Sequence, residues 1–148
     1  MAVAMGAVVG ALARKNIADL AVKHAMGPWH IAAINVGGSA ALGALVAAPN
    51  TLVPPRYKLC LGVGACGAFT TFSTFSVDVV HMLEAEQFAK AASYVLANNV
   101  GSIGSAFGSY KVVKALNMPR GGATPKMPQA LPSTMGAASG RKPPGGPP

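Results

Sequence analysis

A dense cluster of hydroxyl side chains lies in the stretch GAFTTFSTFS, residues 67–76, directly after an apolar and glycine-rich run. The stretch contains three threonines, two serines and three phenylalanines. Several Ser and Thr residues in succession hydrogen-bond to the local backbone and so compete with the helical ladder. Gly67 also removes side-chain support just before them. We therefore predict a helix break at residues 67–71, with a bent but continuous helix as the alternative.

The phenylalanines of this stretch suggest what such a break could bind. A broken helix exposes a half-helix N-terminus, which favours anions, and free carbonyl groups, which favour cations. Phe72 and Phe75 are three residues apart and share one helical face. Aromatic rings carry a positive edge, and ring edges beside neutral donors can accept a small anion. A site made only of Lys or Arg would hold that anion too tightly to pass it on.

A second set of polar residues is ordered along the chain. Tyr94, Asn98 and Ser102 follow one another at intervals of four residues, so on a helix they form one polar stripe. Asn35 is a lone polar residue in an otherwise apolar segment. A polar group in an apolar interior costs free energy unless it is paired or lines a wet cavity. These residues indicate either an ion pathway or plain hydrogen bonding between helices.

Other chemistries find no support in the sequence. Three histidines are scattered along it, at His24, His30 and His81, and both cysteines, Cys60 and Cys66, fall in an apolar stretch. This spacing does not fit a zinc site. The phosphate-binding motif G-x-x-x-x-G-K-[ST] does not occur either. We expect no enzyme activity, no catalytic metal and no ATP-driven transport.

The composition predicts an integral membrane protein. Of the 148 residues, 51% are hydrophobic and only 11% are charged. A soluble domain usually carries about 25% charged residues. The net charge of +8 comes from basic residues between apolar runs and near the C-terminus. That pattern favours contact with a lipid bilayer and argues against a nucleic-acid partner.

The apolar runs predict an all-α membrane protein with four transmembrane helices, the third broken near its middle. Spanning a bilayer takes about 20 mostly apolar residues. The four segments are residues 1–22, 29–48, 57–83 and 88–113. We therefore expect a channel-like subunit at 1–117, followed by a disordered tail rich in Pro and Gly at 118–148.

Small residues spaced four apart predict where these helices touch. In membranes, helices associate through close backbone contact at small side chains. The pairs are Gly6 with Gly10, Ser39 with Gly43, and Gly104 with Gly108.

Three stretches of the chain resemble a known family. GAFTTFSTFS followed by VD resembles the third-helix signature of the Fluc (CrcB-type) fluoride channels, G-x-x-T-T-F-S-T-F-S-x-E. GAVVGALAR resembles the first helix of that family, and INVGGSAALG resembles its second-helix motif. The resemblance extends from about Gly6 to Val113.

The resemblance implies a four-helix subunit that pairs antiparallel into a homodimer with two fluoride pores. It also implies a structural Na⁺ at the dimer axis, held by the backbone carbonyls of Gly67 and Thr70. Asp78 stands where the family has glutamate, and Asn98 where a serine is common. The residues that would line or flank the fluoride pore are Arg14, Asn35, Phe72, Ser73, Thr74, Phe75, Tyr94, Asn98 and Ser102.

The sequence thus leads to one main hypothesis, a passive fluoride-selective channel that exports fluoride across the plasma membrane. One alternative is a non-conducting membrane scaffold, in which the polar groups only join helices. A proton-coupled transporter is disfavoured, because no Glu or His lies in the middle of a span. A further alternative is one half of a fused two-domain fluoride exporter.

Overall fold

The computed structural model describes residues 1–118, and residues 119–148 lie outside the described part. The predicted tail at 118–148 therefore falls outside it too, except for Met118. Every regular element within residues 1–118 is helical, and no strand occurs among them. This agrees with the predicted all-α class.

The first two helices begin and end near the predicted residues. Helix α1 is Ala2–Lys23 and helix α2 is Trp29–Ala47. Pro28 lies at the start of α2, where a missing N–H costs nothing. The charges that interrupt the apolar run of α1 include an exposed i, i+4 ion pair between Lys15 and Asp19.

The third segment is built from four helical pieces. They are α3 (Pro55–Lys58), a π-helix (Leu59–Cys66), α4 (Gly67–Phe69) and α5 (Phe72–Glu84). Only Thr70 and Thr71, between α4 and α5, leave the helical conformation. The break therefore lies within the predicted interval of 67–71. It does not begin at Gly67, which keeps helical angles of φ −64° and ψ −36°.

Helix α6 (Phe88–Leu116) is the longest, with 29 residues, and continues past the predicted end at residue 113. It packs against α2, while α1 packs against the π-helix. The core is formed by apolar side chains of α2, α5 and α6, namely Ile31, Ala32, Ile34, Phe75, Met82, Ala91 and Tyr94.

Two of the three predicted small-residue pairs lie at helix contacts. A Cβ atom on Gly6 or Gly10 would overlap backbone atoms of the π-helix, and one on Gly43 would overlap the Ala106 carbonyl of α6. The third pair makes no helix contact within the described chain. A Cβ on Gly104 or Gly108 would meet no atom within 4 Å, because that face of α6 is open.

Two helical segments of the described chain are long and apolar enough to cross a membrane. They are Trp29–Ala47, with a mean hydropathy of 1.5, and Pro55–Glu84, with a mean hydropathy of 1.4. The second one contains the break, so irregular backbone lies partway along a candidate span.

Candidate functional site

The break between α4 and α5 forms the centre of the site. Thr70 has a ψ of 155°, and Thr71 is extended with φ −149° and ψ 114°. The Thr71 hydroxyl caps the restarted helix by accepting a hydrogen bond from the Thr74 backbone N–H at 3.3 Å. The Ser73 and Thr74 hydroxyls lie 3.2 and 3.0 Å from it. The dense hydroxyls thus stabilise the point where α5 begins.

A single side chain on α2 pairs with both backbone groups of Thr71. Asn35 Oδ1 accepts from the Thr71 N–H at 2.8 Å, and Asn35 Nδ2 donates to the Thr71 carbonyl at 3.0 Å. Buried backbone groups must find partners, and Asn35 supplies them where the helical ladder stops. Close approach of α2 requires Gly38, since a Cβ there would overlap the Thr70 methyl group.

The same asparagine connects the break to the polar stripe of α6. Asn35 Nδ2 also donates to Asn98 Oδ1 at 2.9 Å, and both residues are buried. Two buried polar atoms of the described chain have no hydrogen-bond partner in it, Asn98 Nδ2 and Ser102 Oγ. Buried polar atoms are paired in the large majority of cases. Two neighbouring residues of the polar stripe that each have a buried atom without a partner therefore indicate a binding place for a ligand or water.

These unpaired atoms belong to residues that line a cavity of about 200 Å³. The cavity lies where α2 and α6 meet the break. Its lining residues are Asn35, Ser39, Thr70, Thr71, Phe72, Asn98, Asn99, Ser102 and Ile103. None of these residues carries a full charge.

A row of aromatic rings starts at Phe72, which lines the cavity. The Phe72 ring, which is 73% exposed, lies 5.4 Å from the buried Phe75 ring, centroid to centroid. Phe75 is in turn 5.4 Å from Tyr94, and Trp29 meets Tyr94 edge-on at 5.6 Å. We call these four rings the aromatic column.

The aromatic column meets a carboxylate at Tyr94. The Tyr94 hydroxyl donates to Asp78 Oδ2 at 2.9 Å, so this donor of the stripe already has a partner. Asp78 also lines a second, larger cavity of about 510 Å³, together with His30, His81 and Lys90. Polar and aromatic groups therefore run from the first cavity to the second.

The structure brings most of the predicted residues together. Asn35, Phe72, Asn98 and Ser102 line the first cavity. Phe75 and Tyr94 continue the column.

The remaining predicted residues lie at its margins. Ser73 and Thr74 are exposed on the first turn of α5. Arg14 is half-buried on α1 and does not line the first cavity.

The backbone carbonyls of Gly67 and Thr70 are the groups expected to hold Na⁺. In a continuous helix the Thr71 N–H would donate to the Gly67 carbonyl, but here it donates to Asn35. The break therefore releases the Gly67 carbonyl from that helical bond. Gly67 is also exposed. Oxygen ligands suit hard cations, so these residues are chemically suited to Na⁺.

Sequence reasoning missed three residues of the site. Thr71 was not singled out, although Thr is a favoured capping residue at a helix start. Trp29 was given no role in the site, yet its ring packs against Tyr94. Asp78 had no role beyond replacing a glutamate, and only the three-dimensional contact with Tyr94 reveals its partner.

Comparison with known proteins gives a consistent result. A family model described as CrcB-like protein, Camphor Resistance (CrcB), matches residues 1–110. The chain is similar to a protein of Nitrobacter winogradskyi, with 33% identity over 78% of this chain and 95% of the relative. It is 36% identical to a protein of Rhodospirillum centenum over 77% and 94%. A protein of Chelativorans sp. is 40% identical over 70% and 86%. Each of the three relatives is named fluoride-specific ion channel FluC.

Proposed function

We propose, because the chain belongs to the CrcB-like family, that it is a passive fluoride-selective channel exporting fluoride across the plasma membrane. The name of its relatives supports fluoride as the ion. The observation that carries the proposal is the pair of buried, unpartnered groups on Asn98 and Ser102, beside a column of aromatic rings.

The family assignment also decides two broader questions. The chain is an integral membrane protein, and it has helical segments long and apolar enough to cross a bilayer. It is not an enzyme. We propose that α1 and α6 cross the membrane as well, giving the predicted four spans.

Fluoride is small and strongly hydrated, so a pore must replace its water shell with close donors. Asn98 Nδ2 and the Ser102 hydroxyl can supply such donors in the first cavity. Neither group is charged, so the ion is held weakly enough to move on. Ring edges of Phe72 and Phe75 then offer partial positive charge along the column. No step requires energy input.

We propose that two copies of the chain pair antiparallel to complete the pores. Phe72, at the mouth of the first cavity, is 73% exposed in the single chain. A phenyl ring so placed contributes to a pathway only if a neighbouring surface covers it. Gly104 and Gly108 leave a smooth open face on α6, which suits close helix contact.

We further propose that Na⁺ is held at the dimer axis by the backbone carbonyls of Gly67 and Thr70. The Gly67 carbonyl is available because the Thr71 N–H donates to Asn35. The ion would supply a fixed positive charge next to the break. Arg14, Ser73 and Thr74 are proposed to serve the outer parts of the pathway, since none of the three lines the first cavity and Ser73 and Thr74 are exposed.

Flux from liposomes tests this function. The purified chain is reconstituted into vesicles loaded with potassium fluoride, and external fluoride is followed with an electrode after valinomycin is added. A channel gives rapid efflux that requires valinomycin to relieve the membrane potential. A scaffold gives none, and a proton-coupled transporter gives slow, pH-dependent efflux without it. Either of the last two results would overturn the proposal.

A further inference from the structure

We infer that Asn35 is a positioning residue, which fixes the orientation of the Asn98 amide so that its NH₂ group faces the first cavity. This inference rests on the proposed function, but it assigns Asn35 a different task from the one expected from sequence. There Asn35 was expected to line or flank the fluoride pore. In the structure both hydrogens of the Asn35 amide are donated to protein oxygens, and its oxygen accepts from the Thr71 N–H.

The first step is the orientation of the Asn35 amide. A backbone N–H can only donate and a backbone carbonyl can only accept. Because the Thr71 N–H and carbonyl both contact this side chain, the Asn35 oxygen must face the N–H and its nitrogen must face the carbonyl. The break in the helix therefore imposes one orientation on Asn35.

The second step is the effect of this orientation on Asn98, which lies on α6. An amide nitrogen carries two hydrogens. One hydrogen of Asn35 Nδ2 is used at the Thr71 carbonyl and the other at Asn98 Oδ1, at 3.0 and 2.9 Å. Asn35 has no N–H left for an ion. Asn98 must present its oxygen to Asn35, because its nitrogen there would place two donors face to face.

The third step is the result in the cavity. With its oxygen held by Asn35, Asn98 has its nitrogen free. This nitrogen and Ser102 Oγ are both buried without a partner in the described chain, and both residues line the first cavity. A reversed Asn98 amide would offer an oxygen acceptor to the cavity and would repel an anion. The break at Thr71 thus fixes the orientation of the Asn35 amide, and Asn35 fixes that of Asn98. As a result, Asn98 offers the cavity an N–H donor and not an oxygen acceptor.

A double-mutant cycle in the flux assay tests whether Asn35 orients the Asn98 amide. Serine has a hydroxyl that rotates freely, so the donor of Asn98→Ser does not depend on Asn35. Asn35→Ala leaves the Thr71 groups unpaired in both backgrounds, and this cost cancels in the comparison. We expect Asn35→Ala to reduce flux about 10-fold or more when Asn98 is present, the size of one hydrogen bond to an ion. With Asn98→Ser we expect a reduction of about threefold or less. An equal reduction in both backgrounds would mean that Asn35 acts on the ion directly.

A measurement on the unmutated chain avoids dependence on the folding of these variants. In protein labelled with ¹⁵N-asparagine, titration with sodium fluoride should shift the side-chain amide signals of Asn98, with smaller shifts at Asn35. The Asn98→Ser spectrum assigns the first signal. Asn117, whose amide donates to the Val113 carbonyl at the far end of α6, is the internal control. Larger shifts at Asn35 than at Asn98 would overturn the inference.

Failure of the proposed channel function can be told apart from failure of the positioning role of Asn35. If the unmutated chain does not transport fluoride, the proposed function fails and the inference fails with it. If the chain transports fluoride but the cycle is additive, or if Asn35 gives the larger shift, only the positioning role of Asn35 is lost.

Discussion

At the residue scale, the account depends on one free amide nitrogen. Asn98→Asp keeps the shape of the side chain and the oxygen that accepts from Asn35, but it removes the donor and adds negative charge. We expect fluoride flux to fall about 100-fold, since a hydrogen bond to a charged group is worth up to about 3 kcal/mol.

The matched control for this prediction is Asn117→Asp. Asn117 is exposed after the end of α6, and its side-chain amide donates to the Val113 carbonyl of that helix. The flux through Asn117→Asp should therefore equal that through the unmutated chain. Asn98→Asp with unchanged efflux, measured in the same vesicles, would remove Asn98 from the pathway.

Sequence predicted these residues only in part. The spacing of four places Tyr94, Asn98 and Ser102 on one face of α6, and the structure has all three on that helix. Spacing cannot tell which of them already has a partner. Tyr94 is paired with Asp78, while Asn98 Nδ2 is free, and that difference arises from contacts between residues far apart in sequence.

At the element scale, the decisive feature is the restart of the third segment at Thr71. Thr71→Val preserves the branched shape but removes the hydroxyl that caps α5. We expect the free energy of unfolding in detergent to fall by about 1 kcal/mol, the usual value of an N-cap.

Thr51→Val provides the comparison for this substitution, because Thr51 lies exposed in the loop between α2 and α3. It should leave the thermal unfolding midpoint unchanged. Equal midpoints for both variants would show that the Thr71 hydroxyl does not stabilise the break.

The break itself could be predicted, but its structure could not. A run of Ser and Thr signals competition with the helix, and the break does fall at Thr70 and Thr71. The sequence places Gly67 at the start of the break, whereas in the structure Gly67 is still helical. The preceding π-helix, Leu59–Cys66, has no simple sequence signal, because it depends on the close approach of α1 to Gly64 and its neighbours.

At the scale of the whole molecule, the single chain leaves its pathway incomplete. Phe72 is exposed, and the face of α6 at Gly104 and Gly108 is open; in the proposed dimer a second copy covers both. We expect two copies per particle in detergent, measured by light scattering coupled to size-exclusion chromatography. A monomer that retains full flux after dilution into vesicles, at less than one copy per vesicle, would contradict the dimer.

The lengths of the apolar runs were sufficient to predict the helical class, and seven of the eight predicted span boundaries lie within two residues of observed helix ends. Whether a face of α6 is free or covered cannot be read from one sequence, because the same small-residue spacing occurs at Gly6 and Gly10, which touch another helix, and at Gly104 and Gly108, which do not.

The most direct test of the central claim is fluoride efflux through the aromatic column. Phe72→Ile and Phe75→Ile remove the ring edges but retain apolar side chains, and Phe88→Ile, at an exposed ring at the start of α6, serves as control. The account predicts rapid efflux for the unmutated chain and for Phe88→Ile, and a reduction of about 100-fold for each of the other two variants, with assembly unchanged. Full efflux through both Phe72→Ile and Phe75→Ile would contradict it.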